Sequence, residues 1–327
     1  MTSVAYGAEI SSEQFVTGFT RLRDNICHVV RGKTEVVDLV LTCFFAEGHL
    51  LIEDVPGVGK TTIARALAAS VTGGCSRIQF TPDLLPSDVT GVSIFDQRTR
   101  EFVFHRGPVF ANVVLGDEIN RASPKTQSAL LEVMEEHHVT VDGEPHPVPR
   151  PFLVIGTQNP IDMDGTYPLP EAQLDRFLMR VSIGYPDHES EVEVIEGRQL
   201  QRRVEDLRPV LNLAEAAELM RAADAVHLAP AISSYIVSVA AATRELAEVR
   251  LGASPRGSLA LARAARVRAA SQGRGYVTPA DVKALAVPIL AHRVLLTTDA
   301  RTKGLTAQAC VEAAAASVPI PHQLPGR

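Results

Sequence analysis

Two rhythms of apolar and polar positions divide the chain. Up to residue 186, short apolar runs of strand length alternate with segments of helical spacing; beyond it, helical spacing prevails. Ser11 followed by Gln14 makes a capping-box pattern and predicts a first helix to about His28. A short break at 29–33 carries Gly32. Val36, Val37, Val40, Leu41 and Phe44 then fall at helical spacing and predict a helix over 34–45. Leu50, Leu51 and Ile52 form a strand-length run, and helix resumes from Ile63. Further strands are predicted at 77–80, 111–116, 152–156 and 181–183, with a helix over 171–178. Segments 92–95 and 102–105 flank a polar stretch and predict a hairpin; 139–141 and a partner strand to Val148, joined by Asp142-Gly143, predict a second. Ser123-Pro124 opens a helix whose apolar face is Leu130, Leu131, Val133 and Met134.

Tyr185-Pro186-Asp187 reads as a boundary between residues 1–186, an α/β domain, and residues 187–327, an α-helical domain. The second part is Ala-rich and laced with Arg and Glu. Helices are expected at 189–202, 213–225, 232–248 and 258–270, with start signals at Asn212/Glu215 and at Thr278-Pro279/Asp281. The Pro-rich C-terminal tail is expected to be loosely ordered.

Composition narrows the class. With 327 residues, 46% hydrophobic and 21% charged, the chain is an ordinary globular protein long enough for a large core. No Trp and 5% aromatic residues suggest an aliphatic, helix-rich interior. A net charge of −6 argues against non-specific nucleic-acid binding, which needs a basic face. Cys27, Cys43, Cys75 and Cys310 show no C-x-x-C pair or metal spacing, and are expected to be small buried side chains in a reducing cytoplasm. No signal-peptide pattern and no apolar run of bilayer length is present, so a cytoplasmic protein without a membrane span is expected.

The chemistry gathers at three strand ends. Residues 49–62, His-Leu-Leu-Ile-Glu-Asp-Val-Pro-Gly-Val-Gly-Lys-Thr-Thr, run from a strand through a glycine-bearing loop into a helix, which is the nucleotide-binding P-loop. Its phosphate cradle would be Val55, Pro56, Gly57, Val58, Gly59, Lys60, Thr61 and Thr62, with Gly32 of the preceding break as a further nucleotide contact. Lys60 would reach the β and γ oxygens of ATP, and the Thr61 hydroxyl would hold Mg²⁺. Asp54 stands where the pattern asks for glycine. A carboxylate facing a triphosphate is repelled, so Asp54 is expected to point away and cap backbone groups nearby.

The apolar run 111–116 ends in Asp117-Glu118. Alone, this is an ordinary solvated pair. Downstream of a P-loop, Asp117 is expected to hold Mg²⁺ and Glu118 to act as general base on the attacking water. Asn159, at the tip of the strand 152–156 and its polar extension, is a candidate to orient that water. It also begins an Asn-Pro turn, which would explain it without any ligand. Arg176 and Arg256, read in isolation, are ordinary ion-pairing residues.

Taken together and in order, these segments resemble an AAA+ ATPase, and most closely the MoxR family. The resemblance is carried by Leu-Ile-Glu-Asp-Val-Pro-Gly-Val-Gly-Lys-Thr, Gly-Pro-Val-Phe-Ala-Asn-Val-Val-Leu-Gly-Asp-Glu-Ile-Asn-Arg-Ala, Gly-Thr-Gln-Asn-Pro, Tyr-Pro-Leu-Pro-Glu-Ala-Gln-Leu-Asp-Arg-Phe and Gly-Ala-Ser-Pro-Arg, and extends from about residue 20 to 320. It implies an α/β P-loop core with a parallel five-stranded sheet of order 5-1-4-3-2, hairpin inserts at 92–105 and 139–148, and an all-α lid. It further implies ATP and Mg²⁺ as ligands and a homo-oligomeric ring, commonly a hexamer. Asn159 would be sensor 1 and Arg176 a finger reaching the neighbour's γ-phosphate. Arg256 would be the sensor-2 arginine, contacting phosphate in its own subunit. The family is chaperone-like, remodelling protein clients and often working with a von Willebrand factor A domain protein. The alternatives are a magnesium-chelatase-like or DNA-remodelling motor, a nucleotide-gated scaffold with little turnover, for which Asp54 speaks, or a kinase with a self-contained site.

Overall fold

The computed structural model describes residues 11–55, 57–159, 166–186, 188–195 and 203–321. Five parallel strands form the central sheet: β1 (Leu50–Glu53), β2 (Cys75–Gln79), β3 (Val113–Asp117), β4 (Leu153–Gln158) and β5 (Met179–Val181). Their spatial order is β2-β3-β4-β1-β5, which read from the other edge is 5-1-4-3-2. Register follows from Cys75 opposite Val113, Val113 opposite Leu153, and Leu50 between Ile155 and Met179. Alternate strand residues face opposite sides. Leu50, Ile52, Leu115 and Ile155 join the helices Ser12–Cys27, Thr34–Phe45 and Lys60–Ser70. Leu51, Val114 and Val154 meet Leu130, Leu131 and Met134 of the helix Pro124–Glu136 on the other face.

The start signals read from the sequence operate. Ser11 and Gln14 form a reciprocal capping box, as do Asn212 and Glu215. Ser123 caps its helix with Pro124 at the first position. Both hairpins form, Gly91–Asp96 with Glu101–Arg106 and His138–Val141 with Glu144–Pro147. They touch each other, Phe104 stacking on His146 at 4.3 Å between ring centroids. Gly91 makes the root of the first hairpin possible: it has φ 103°, and a Cβ there would stand 2.3 Å from the His105 carbonyl oxygen.

Several expectations are corrected. The helix expected over 171–178 stops at Leu174, and the last strand is Met179–Val181 rather than 181–183. Tertiary partners replace the helical bonds: Arg293 donates to the carbonyls of Asp175, Phe177 and Leu178, and His292 Nε2 donates to Phe177. The strand ends at Val181 because the Ile183 and Gly184 amides go to the Asp54 carboxylate instead of to β1. The helix expected at 189–202 is His188–Ile195 where described, and 196–202 lie outside the described residues. The C-terminal residues 322–327 lie outside them too. Of the four cysteines only Cys43 and Cys310 are buried; Cys75 is exposed because β2 is an edge strand.

The lid is built from helices Leu213–Asp224, Pro230–Glu245, Pro255–Ser271, Pro279–Leu290 and Ala307–Ser317. It is not wholly helical, since Val249–Leu251 pairs antiparallel with Leu295–Leu296. Its apolar residues share one continuous core with the N-terminal helices. Gly18 packs so closely on Leu219 that an added Cβ would lie 2.6 Å from Leu219 Cδ1. Among the described residues no helix is long and apolar enough to cross a membrane.

His49, just ahead of β1, ties the amino edge of the sheet together. Its Nδ1 accepts from the Val154 amide at 3.0 Å, so Nε2 carries the proton and donates to the Met134 carbonyl at 3.0 Å. Burial lowers its pKa from 6.5 to about 4, against the smaller opposing effect of the Met134 carbonyl. The unfolded chain therefore binds more protons than the folded one between these values. Stability owed to the neutral imidazole is complete above pH 6.5 and is lost as pH falls toward 4, by roughly 3 kcal/mol. Urea unfolding across that window should show this slope, and His49→Gln should flatten it. An unchanged slope in the variant would assign the acid sensitivity elsewhere.

Candidate functional site

The carboxyl edge of the sheet collects the predicted phosphate site. After β1 the chain turns through residues 54–59 into the helix Lys60–Ser70, which starts three residues before the apolar pattern suggests. Gly57 and Gly59 have φ of 85° and 93°, and nothing lies within 4 Å of where their Cβ atoms would stand. The loop thus brings the N–H groups of a helix N-terminus beside two glycines in the left-handed region, which suits a tetrahedral anion. Val58 packs against the core and anchors the loop; Val55 and Thr62 are half-buried beside it. Pro56 lies outside the described residues. Lys60 Nζ is held by the carbonyls of Asp54 at 2.6 Å and Gln158 at 3.0 Å. Gly32, with φ 67°, precedes Lys33, whose Nζ donates to the Tyr185 carbonyl at 2.7 Å. The break at 29–33 therefore meets the segment following β5, beside the P-loop.

Asp54 points away from the loop opening, as electrostatics demands. Its Oδ2 accepts from Ser182 Oγ at 2.9 Å, the Ile183 amide at 2.8 Å and the Gly184 amide at 2.7 Å; Oδ1 accepts from the Val55 amide at 2.8 Å. Burial acts to raise its pKa, but these hydrogen bonds together outweigh it and hold the carboxyl below its ordinary range. The residue that departs from the P-loop pattern thus joins the ends of β1 and β5, and its carboxylate is spent on that junction rather than opposing phosphate.

Asp117 ends β3 and is buried. Thr157 Oγ1 donates to its Oδ1 at 3.2 Å, while Oδ2 faces Thr61 Oγ1 at 3.5 Å and the Arg77 guanidinium at 2.7 Å. Glu118 sits in the left-handed region, φ 55° and ψ 51°, a strained backbone for a side chain of this size. Its amide donates to Thr157 Oγ1 at 3.0 Å, and its carboxylate is held by Arg121 at 3.0 Å and Gln79 at 3.3 Å. Asn159, buried, follows the last residue of β4 on the same edge. Lys60, Thr61, Asp117, Glu118 and Asn159 are thereby brought to one edge.

The two predicted arginines lie elsewhere. Arg176 precedes β5, and Glu135 ends a helix that runs back from the carboxyl edge, so both belong to the amino edge. Glu135 Oε2 accepts from Arg176 Nη2 at 2.9 Å, and its Oε1 accepts from Arg256 Nη2. Arg256 thus stands beside Arg176, on the edge opposite the P-loop of its own chain. Ser254 Oγ donates to Asp175 at 2.8 Å and seats the start of the lid helix against the amino edge, away from its own P-loop.

Sequence reasoning missed Thr157, Arg77, Gln79, Arg121 and Glu135. Arg77 and Gln79 carried a signal: polar residues two apart share a face of a strand, and both lie toward its carboxyl end. Thr157 lay inside Gly-Thr-Gln-Asn-Pro without a periodicity to mark it. Glu135 is one of several acidic residues on its helix, and only folding sets it between two arginines.

Residues 49–179 match the family described as ATPase family associated with various cellular activities (AAA), and residues 241–314 match the AAA lid domain. Chaperone MoxR1 of Mycobacterium tuberculosis is 41% identical, with 90% of this chain and 80% of that protein covered. Protein MoxR of Methylorubrum extorquens is 32% identical over 84% of this chain and 87% of its own length. An uncharacterised protein of Bacillus subtilis, YeaC, is 48% identical over 92% and 94%. Among solved structures, a candidate ATPase from Cytophaga hutchinsonii superposes with a TM-score of 0.88 at 36% identity, covering 95% of this chain and 97% of that one.

The Asp54 junction is testable apart from any ligand. Asp54→Asn leaves one or more of its donors unpaired and should cost about 1–3 kcal/mol in urea unfolding, with a smaller loss of nucleotide affinity. The wild-type contribution is present above the ordinary carboxyl value of 3.8 and is lost as pH falls through the lower folded value. A variant with unchanged stability and weakened nucleotide binding would show that the carboxylate acts on the ligand instead.

Proposed function

The chain belongs to the MoxR family of AAA+ ATPases, and from that premise we propose how its parts divide the work. It is a nucleotide-binding, chaperone-like ATPase. Residues 1–186 form the ATPase core and residues 187–327 the lid.

ATP is the substrate, its phosphates taken by the loop at Gly57 and Gly59, where among the described residues, chain neighbours aside, nothing lies within 4 Å of an added Cβ. The Thr61 hydroxyl and Asp117 carboxylate, 3.5 Å apart, are oxygen donors that suit Mg²⁺. Bound there, Mg²⁺ would offset the charge of the phosphates. Arg77, which now holds Asp117 Oδ2, is a competitor for that oxygen. Lys60 meets the β and γ oxygens. Glu118 takes the proton of the attacking water, aided in orientation by Asn159.

The single observation that carries the rest is that Arg176 and Arg256 stand on the opposite edge of the sheet from the P-loop. Carboxylates, Lys60 and the P-loop share the carboxyl edge, while Arg176 and Arg256 share Glu135 on the amino edge. These arginines could serve their own P-loop only if they stood above it. Hence each active site is composite: Arg176, and with it Arg256, serves the nucleotide of a neighbouring copy. A ring of copies, commonly six in this family, supplies a neighbour at every site.

The hairpin inserts carry the mechanical output. Phe95 and Phe102, 48% and 71% exposed near the tip of the first hairpin, are apolar surface for a protein client. A von Willebrand factor A domain partner and a cytoplasmic setting, where ATP is plentiful, complete the proposal.

Steady-state ATP hydrolysis against protein concentration tests it. The specific rate should climb with concentration for the wild type and fall by about 10³-fold or more in Arg176→Ala, the range of fingers supplied in trans. Glu118→Gln should bind ATP and scarcely turn it over. A rate independent of concentration and of Arg176 would mean a self-contained site and end the composite reading.

A further inference from the structure

Glu135 stands where three parts of the chain converge. It lies in the last turn of the helix Pro124–Glu136, it reaches Arg176 ahead of β5, and it reaches Arg256 in the first turn of the lid helix Pro255–Ser271. The two arginines take different oxygens of one carboxylate, so they are held about a carboxylate's width apart. One negative charge between two positive ones leaves the group net cationic. A cavity of about 320 Å³ opens there, lined by both arginines, Glu135, Arg263 and His137.

The frame around this trio is rigid. Next to Arg176, Asp175 accepts from Ser254 Oγ at 2.8 Å and from Arg293 Nε at 2.7 Å. Arg293 is buried and donates to the Asp175, Phe177 and Leu178 carbonyls. On the other flank, His49 holds the Met134 carbonyl, one residue before Glu135. Within that frame the Arg176 guanidinium is loosely fixed: its Nε is buried with no hydrogen-bond acceptor among the described residues, and its Nη2 is oriented by Glu135.

Stability does not explain the trio. Glu135, Arg176 and Arg256 side chains are 33%, 28% and 51% exposed, and pairs so placed contribute little to folding. Orientation is what the carboxylate supplies. We propose that Glu135 is a positioning residue that sets Arg176 and Arg256 side by side, so that one subunit presents both together to the triphosphate held by its neighbour. Because Arg256 belongs to the lid, that presentation also ties the posture of one subunit's lid to the nucleotide of the next. This rests on the composite-site reading above and adds a residue to it.

The test is subunit complementation with full-length chains. Glu135→Ala should lower kcat on the order of a hundredfold, the effect of a catalytic group displaced by about an ångström. Its own P-loop should still bind a fluorescent ADP analogue with wild-type affinity, and its thermal midpoint should stay near that of wild type. Mixing it with Lys60→Ala subunits, which cannot hold phosphate but keep their arginines, should restore hydrolysis at the Glu135→Ala P-loops. Glu135→Gln, which keeps the volume and one acceptor, should fall between; it replaces the alanine variant if that does not fold. A wild-type or raised rate in Glu135→Ala overturns the inference. So does failure of complementation when Arg176→Ala with Lys60→Ala is restored. If Arg176→Ala is not restored either, the composite reading fails and this inference with it.

Discussion

Parallel strands all end on the same side, and that polarity sorts the chemistry of this chain. Each of β1, β3 and β4 delivers its last residues to the carboxyl edge: Glu53 into the P-loop, Asp117 and Glu118, then Thr157 to Asn159. The connecting helices run back and deliver their own ends to the amino edge, where Glu135 meets Arg176 and Arg256. An antiparallel sheet would have scattered these groups over both edges. Here the P-loop, Asp117 and Glu118 share one side, with Arg77 and Arg121 beside the two carboxylates, and Arg176 and Arg256 gather on the other. In the composite-site proposal, a single copy carries both halves of a site, facing opposite ways.

Buried polar groups keep the edges in place. A backbone N–H removed from water must find an acceptor, and the amides beyond β5 find the Asp54 carboxylate rather than a neighbouring strand. Carbonyls that a longer helix at 171–178 would have satisfied find Arg293 and His292. His49 spans the Val154 amide and the Met134 carbonyl, and burial keeps it neutral. Asp54 ends β5, and Arg293 and His292 end the helix before it, at residues that periodicity does not predict.

The charged groups of both edges are engaged with other groups of the chain. Asp117 is taken by Arg77, Glu118 by Arg121 and Gln79, Lys60 by two carbonyls, and the arginines by Glu135. Thr157 is the quiet hinge of the arrangement, bonding the Asp117 carboxylate and the Glu118 amide through one hydroxyl. That bond supports Glu118 in its left-handed backbone.

Local patterns determined much of this protein. The P-loop, the Asp-Glu strand end, the two hairpins and most helix starts are written in residues one to four apart, and such neighbours meet whatever the rest of the chain does. The resemblance carried by these motifs added the order of the strands and the lid. Tertiary structure alone decided where Asp54 points, because its partners at Ser182 to Gly184 are about 130 residues away and no periodicity links them. It decided likewise that Arg256 stands beside Arg176 on Glu135, 121 residues distant, instead of over its own P-loop. Ion pairs between distant elements depend on which edges the fold brings together, and a linear pattern reports only the face a residue occupies on its own element.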